Sequence, residues 1–216
     1  MSPSAGARVF AGIADRYDRL NRILSLGRDQ AWRARVVARL PAGRLLDLGA
    51  GTGAANPLFG DREVVALDPS PEMLALDDAP HRVVGMGEAL PFADASFDAV
   101  FSAYVFRNLE SVSATAAEIA RVLRPGGRAG IVDLGRPRHR VLAAMHRGAT
   151  AVVLPLAGAT IGARDEYAYL HRSLDRHPPP EELFADTALE VVETWRMGPF
   201  GFVWGAILTP RPMARR

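Results

Sequence analysis

The chain has 216 residues, of which 49% are hydrophobic and 23% charged, and these values fit one globular domain with a substantial core. It contains no cysteine, which excludes disulfides, iron–sulfur clusters, thiolate zinc sites and a cysteine nucleophile. The formal net charge is only +2 and the arginines alternate with acidic residues, so the basic patch of a nucleic-acid-binding domain is missing and no nucleic-acid partner is expected.

The N-terminal segment predicts two helices ahead of the first strand. Apolar residues recur at helical spacing over Val9–Leu24, and a second helix is expected over Asp29–Leu40. Residues 1–40 are therefore expected to form a helical cap. The first residues lack the charged and then apolar pattern of a secretory signal, which predicts a cytoplasmic protein.

Short β-branched runs then alternate with helix-like segments, and this rhythm is typical of βαβ units and a parallel sheet. Strands are predicted at Arg44–Leu48, Glu63–Asp68, Arg82–Gly85, Phe97–Ser102 and Arg128–Asp133. We expect residues 41–135 to form the ligand-binding core of a single domain that spans residues 1–216. Residues 136–216 would then supply substrate-side helices and the last strands.

After Asp133 the pattern changes to a long helical stretch and a further helix near Asp165–Asp175. Two late strands, Leu189–Thr194 and Phe202–Leu208, suggest an antiparallel ending to the sheet. The least polar stretch, Gly148–Ala163, is shorter than the roughly 18–20 residues that span a bilayer. It is expected to be buried or to line a cavity.

A glycine-rich turn, LLDLGAGTG at residues 45–53, joins the first strand to the segment after it. Glycines let a backbone turn sharply and approach a ligand without obstruction by a Cβ atom. Asp68 closes the second strand about twenty residues later, where a carboxylate can accept hydrogen bonds from a ribose. The turn and the acid together predict a nucleoside-like cofactor.

Two cofactor classes fit the turn, because Gly49, Gly51 and Ala54 also satisfy the loose spacing of dinucleotide-binding proteins, including nicotinamide-dependent oxidoreductases. Asp47 favours the other class, since a carboxylate inside the turn suits a cationic aminoacyl tail and would repel a pyrophosphate. S-adenosylmethionine carries such an ammonium group. The alternative is that Asp47 and Asp68 only cap turns.

Four motifs in order resemble the class I S-adenosylmethionine-dependent methyltransferases: LLDLGAGTG at 45–53, ALDPSPEML at 66–74, EALPFADASFDAV at 88–100 and RVLRPGGR at 121–128. Three further segments are similar to the ubiquinone/menaquinone biosynthesis C-methyltransferase family: FAGIADRYDRLNRILSLGRDQAWR near the N-terminus, FRN at 106–108 and DEYAYLHRSLDRHPPPEEL at 165–183. The resemblance implies a doubly wound, Rossmann-like α/β fold. Its seven-stranded sheet would have the order 3-2-1-4-5-7-6 with strand 7 antiparallel, under an N-terminal helical cap.

The resemblance also implies a set of cofactor-binding residues: Asp47, Gly49, Gly51, Thr52, Asp68, Met73, Gly87 and Glu88. Asp47, Gly49 and Thr52 would hold the methionine end of S-adenosylmethionine, and Asp68 the ribose. Met73 would cover the adenine face, with the Gly87–Glu88 backbone at its edge. Three positions depart from the family pattern, namely Met86, Ala103 and the Gly205-Ala206 pair in the last strand.

By the same resemblance the reaction would be C-methylation of a demethylmenaquinol-like ring, with S-adenosylhomocysteine as the second product and no metal required. Arg107 would stabilise a phenolate, with a bound water as proton acceptor, and Asn108 would orient a ring oxygen. Tyr17 would hydrogen-bond the ring oxygen. For Arg107 a surface pair with Glu110 is the alternative.

Other interpretations stay open from the sequence. His171, Ser173 and His177 lie in a family-like block, and a histidine there could transfer protons. The substrate could instead be a soluble phenolic or polyketide metabolite methylated on oxygen or carbon, or the domain could bind cofactor without turnover. Transient contact with the inner membrane surface would use a set of N-terminal arginines: Arg8, Arg19, Arg22 and Arg28. The oligomeric state is not predicted.

Overall fold

Seven strands form one sheet in the order β3-β2-β1-β4-β5-β7-β6 in the computed structural model, which describes residues 25, 27–161, 171, 173–175 and 177–212. The strands are β1 Arg44–Leu48, β2 Glu63–Asp68, β3 His81–Val84, β4 Phe97–Ala103, β5 Leu123–Leu134, β6 Leu189–Met197 and β7 Val203–Pro210. Strands β1 to β5 run parallel, and β7 is antiparallel to both β5 and β6. The predicted sheet order and the antiparallel ending are confirmed.

Helices and single turns connect the strands. The helices are α1 Asp29–Val37, α2 Pro71–Leu74, α3 Val112–Val122, α4 Arg140–Ile161 and α5 Pro180–Leu183, with 3-10 turns at Asn56–Leu58, Phe106–Asn108 and Pro199–Gly201. The predicted helix Val9–Leu24 lies outside the described residues. Of the predicted helix Asp165–Asp175, residues 171 and 173–175 are described, and they are helical.

The core lies in two layers on either side of the sheet. Helix α3, through Ile119, packs with Phe184 and Trp204 on one face. Helix α1 covers the opposite face through Trp32 and Val36. This arrangement leaves the carboxyl ends of the parallel strands open between the layers, which is where ligands bind in doubly wound sheets.

Several element boundaries differ from the prediction, and two of these differences have a clear local reason. Helix α1 ends at Val37 rather than Leu40, because the last turn tightens and Leu40 N–H bonds to the carbonyl of Val37 at 3.1 Å. Strand β5 begins at Leu123, five residues early, because Leu123 pairs with Phe97 before the ladder shifts register at the following Pro-Gly-Gly segment.

The apolar stretch in helix α4 is not uniformly buried, so the expectation of a buried or cavity-lining segment is wrong for its outer face. Leu154 is 5% exposed, whereas Val152 and Leu156 are 60% and 63% exposed. A helical period distributes a continuous apolar run over opposite faces, and only one of them packs here. None of the helices in the described part of the chain is long and apolar enough to cross a membrane.

Candidate active site

One cleft at the carboxyl edge of β1, β2 and β4 brings the predicted cofactor residues together. Its lining includes every predicted cofactor-binding residue, namely Asp47, Gly49, Gly51, Thr52, Asp68, Met73, Gly87 and Glu88. Asn108 and Ala103 lie in the same wall, so the cofactor residues and one predicted substrate residue share a single cleft.

The turn after β1 requires glycine at two positions. Gly49 has φ +73°, its N–H donates to the Leu67 carbonyl at 2.8 Å, and a Cβ atom there would lie 2.3 Å from a Val105 methyl group. Gly51 has φ +62° and donates its N–H to the Asp68 carboxylate at 3.0 Å. The left-handed backbone explains both glycines, and the close approach of Val105 adds to it at Gly49. At these two positions the turn presents only backbone to the cleft.

Asp68 holds two loops against the cleft. Its second carboxylate oxygen accepts from the Ser70 N–H at 2.9 Å, while the first accepts from Gly51. Burial raises the pKa of Asp68, and these two N–H donors act in the opposite direction. Asp68 therefore does cap the two turns, as the alternative from the sequence proposed. The Ser70 hydroxyl caps α2 by accepting from the Met73 N–H at 3.2 Å, which fixes Met73 in the same wall.

Asp47 sits inside β1, paired in register with Ala66 and Phe101, and is 2% exposed. Its Oδ2 atom is buried and accepts no hydrogen bond from any described residue. Burial, reinforced by the negative charge of Asp77 and opposed by Arg33, raises the pKa of Asp47 to about 8. A buried carboxylate oxygen with no donor in a ligand cleft fits a cationic group, as the ammonium of a methionyl tail requires.

The far end of the cleft is shaped by Gly87 and Glu88. A Cβ atom at Gly87 would lie 3.1 Å from the Thr115 methyl, so the backbone there runs close against α3. Glu88 Oε1 accepts from the Glu110 and Ser111 N–H groups at 3.0 and 3.3 Å. Its Oε2 is buried and has no hydrogen-bond partner among the described residues, so it is available to a donor on a ligand.

Arg107 takes part in a buried ion pair that the sequence did not reveal. Its Nη1 lies 2.6 Å from Asp133 Oδ1, with the two side chains 4% and 0% exposed. The alternative of a surface pair with Glu110 is therefore wrong. Arg107 does not line the cofactor cleft, whereas the next residue, Asn108, does, and its amide donates to the Tyr104 carbonyl at 3.3 Å.

The two histidines proposed for proton transfer have different surroundings. His177 stacks on Trp204 with ring centroids 6.0 Å apart, and burial lowers its pKa. His171 lies elsewhere, 3.1 Å from the Thr150 hydroxyl. Ser173 is buried, and Tyr17 lies outside the described residues. In the described ranges no three His, Asp or Glu side chains are grouped as a metal site.

Arg33 is the cleft residue that the sequence reasoning missed. It lies on α1, is 5% exposed and lines the cleft. It forms an ion pair with Asp29, and its guanidinium carbon is 5.1 Å from the centroid of the Tyr104 ring. Its i−4 partner Asp29 and the apolar neighbours Trp32 and Val37 were the available signals that this arginine faces inward.

The departure in the last strand has a packing explanation. A Cβ atom at Gly205 would lie 2.6 Å from atoms of the Trp195 ring, so the tryptophan occupies the space of a larger side chain. Gly205 pairs with Trp195 across β6 and β7. The Trp195 ring therefore fills the space beside Gly205.

Comparison with known proteins identifies relatives over most of the chain. The model of the ubiE/COQ5 methyltransferase family matches residues 4–198. A demethylmenaquinone methyltransferase from Deinococcus radiodurans is 40% identical over 192 residues, covering 81% of this chain and 79% of the relative. A ubiquinone/menaquinone biosynthesis C-methyltransferase from Desulfotalea psychrophila is 34% identical, covering 92% and 88%.

The solved structures support the fold. A SAM-dependent methyltransferase from Thermotoga maritima, described as a possible histamine N-methyltransferase, superposes with a TM-score of 0.68. It covers 94% of this chain and 99% of its own, at 18% identity. At that identity the likeness concerns the Rossmann-like architecture alone.

Proposed function

Since the chain belongs to the ubiE/COQ5 methyltransferase family, we propose that it transfers the methyl group of S-adenosylmethionine to a ring carbon of a demethylmenaquinol-like quinol. The chain is an S-adenosylmethionine-dependent methyltransferase. The observation that carries the proposal is the buried Asp47 Oδ2, which has no donor among the described residues and lies in one cleft with Asp68.

The proposed cofactor contacts follow from the chemistry of the cleft. Asp47 would bind the ammonium group, and the Gly49–Thr52 turn would approach the methionine end with its backbone. Asp68 would accept hydrogen bonds from the ribose hydroxyls. Met73 and the Gly87–Glu88 backbone would enclose the adenine. A dinucleotide is disfavoured, because its pyrophosphate would meet the Asp47 carboxylate.

The cofactor supplies a methyl group already activated on a sulfonium, so the protein has to orient the ring carbon, exclude water and help remove a proton. Loss of the phenolic proton raises the electron density on the ring carbon that forms the new bond. After the C–C bond forms, the ring loses its C–H proton and regains the hydroxyl. The net products are the methylated quinol, S-adenosylhomocysteine and one proton.

Arg107 and Asn108 are the proposed ring-side residues. Asn108 would orient a ring oxygen from the cleft wall. Arg107 would lower the pKa of the phenol electrostatically, with a bound water as proton acceptor. Because Asp133 already balances the charge of Arg107, the phenolate would interact with an oriented ion pair. This ion pair would stabilise the phenolate less than a guanidinium without a counter-charge would. Tyr17 would donate a hydrogen bond to the ring oxygen.

The test separates binding from turnover. Methyl transfer from radiolabelled S-adenosylmethionine is measured with a short-chain demethylmenaquinol in detergent, and with soluble phenols as the competing substrate class. Asp68→Ala is expected to abolish measurable cofactor binding, whereas Arg107→Ala, assayed at a temperature where thermal unfolding shows it to be folded, keeps binding and loses turnover. Transfer to soluble phenols alone would replace the quinol assignment, and equal loss of binding in both variants would refute the division of roles.

The proposed substrate also bears on where the enzyme would work. A quinol with a prenyl tail resides in the bilayer, so the enzyme would work in the cytoplasm with transient contact at the inner membrane face. Of the arginines predicted for that contact, Arg8, Arg19 and Arg22 lie outside the described residues. Sedimentation with anionic liposomes, compared with neutral ones, tests this contact.

A further inference from the structure

Arg33 places a buried positive charge in the wall of the cofactor cleft. Its side chain is 6% exposed, and the Asp29 carboxylate pairs with its Nη1 atom. Ser25 in turn donates its hydroxyl to Asp29 at 3.1 Å, so the acid is held in place. Removing a guanidinium from water costs considerable free energy. The burial of Arg33 therefore suggests that this charge has a function.

The described contacts leave much of the guanidinium available. An arginine has five N–H donors, and among the described residues the hydrogen bond to Asp29 engages Nη1 alone. One face of the group is covered by the Tyr104 ring at 5.1 Å. The backbone of Tyr104 has φ +65°, an uncommon conformation for a residue other than glycine, and it sets the ring beneath the arginine.

Arg33 and Asp47 place a guanidinium and a carboxyl group in one cleft without a hydrogen bond between them. Both line the cleft, and the charge of Arg33 opposes the rise in the pKa of Asp47. A buried guanidinium and a buried carboxyl group that releases its proton on binding an ammonium together match a zwitterion. An α-amino acid group carries such a pair, with its ammonium and carboxylate on neighbouring atoms.

We propose that Arg33 binds the α-carboxylate of the methionine end of the cofactor while Asp47 binds its ammonium, an inference that rests on the proposed function. Asp29 and Tyr104 then act as positioning residues, because they fix the direction of the guanidinium. A planar guanidinium is suited to a carboxylate, since its parallel N–H donors match the two oxygens. The site therefore selects the complete amino-acid tail and not merely a positive charge.

The competing explanation is purely structural, with Arg33 only tying α1 to the end of β4. The two explanations differ in what they predict for ligands. If Arg33 binds the carboxylate, removing the guanidinium weakens only ligands that carry a carboxylate. If Arg33 is structural, its loss weakens every ligand of the cleft to a similar extent.

The test is calorimetric titration of the purified protein with S-adenosylhomocysteine and with its decarboxylated analogue, which keeps the amine and the nucleoside. Wild type is expected to bind S-adenosylhomocysteine roughly tenfold or more tightly than the analogue, as charge-assisted hydrogen bonds predict. Arg33→Gln should lose that preference by weakening S-adenosylhomocysteine alone. Arg33→Lys, which keeps the charge, should retain part of it and provides a second variant if Arg33→Gln does not fold.

Arg35→Gln, an exposed arginine on the same helix, is the matched control and should leave both affinities unchanged. Thermal unfolding of each variant monitors the fold. A wild-type protein that binds both ligands equally, or an Arg33 variant that weakens both equally, overturns the carboxylate assignment. A folded wild type that binds neither ligand would instead overturn the proposed function.

Discussion

Replacing Asp47 with asparagine should stabilise the protein without ligand while removing its affinity for the cofactor. Burial raises the pKa of Asp47 from 3.8 to about 8. Between those pH values the folded state keeps a proton that the unfolded chain has released, so stability decreases as pH rises through this window. The full difference corresponds to roughly 6 kcal/mol as an upper bound. Asp47→Asn has no proton to lose, so it should gain stability at pH 8 and little at pH 5.

The same carboxylate makes cofactor binding depend on pH. With a pKa near 8, only about one tenth of the free protein carries an ionised Asp47 at pH 7. Because an ammonium group binds the ionised form, the Kd for S-adenosylhomocysteine should fall roughly tenfold between pH 6 and pH 7. Binding at pH 7 should release close to one proton.

The assay combines thermal unfolding at pH 5 and pH 8 with calorimetric titration in two buffers of different ionisation enthalpy. Asp61→Asn, an exposed acid beyond the glycine turn, serves as the control and should behave like wild type. A Kd that is constant from pH 6 to pH 7, with no proton release, would refute the reasoning. It would mean that Asp47 is already ionised in the free protein or does not contact the ligand.

Two further predictions concern packing and charge. Arg107→Ala should lower the free energy of unfolding by roughly 3–5 kcal/mol, because it leaves Asp133 buried without its counter-charge. Denaturant unfolding measures this loss. Replacing both residues by apolar ones should recover much of it. Gly49→Ala should destabilise far more than Gly60→Ala, because both glycines have positive φ but only Gly49 has a neighbour, Val105, within 2.3 Å of the added Cβ. Similar losses at the two glycines, measured by urea midpoints, would contradict the steric argument.

The strand pattern was readable from the sequence because local chemistry marks the strand ends. The predicted bounds of β1 and β2 match the structure, since Gly49 ends one strand and the Pro69-Ser70 pair ends the other. The glycine turn and Asp68 were likewise visible, because their spacing follows from the geometry of one βαβ unit. Such features depend on short stretches of chain.

Side-chain partners across the fold were not readable. The contact of Arg33 with Tyr104 was hidden, since nothing local shows that this ring lies under the guanidinium. The depth of Asp47 was also hidden, because its charge depends on what packs around β1 from two sides of the sheet. Burial is a property of the assembled layers, and a pKa follows from burial.

The Arg107–Asp133 pair shows how this limit affects a mechanistic argument. The two residues are separated by 26 positions, and they meet because β4 and β5 pair in parallel with Ala103 opposite Val132. That register places the turn after β4 beside the last residues of β5, so the arginine that follows β4 faces the aspartate at the end of its neighbour. The sequence does not show that Asp133 lies beside Arg107, whereas the sheet supplies this counter-charge. The electrostatic role of Arg107 toward a phenolate therefore depends on Asp133, and exchanging Asp133 for asparagine should change turnover through Arg107 without a contact of its own to the ring.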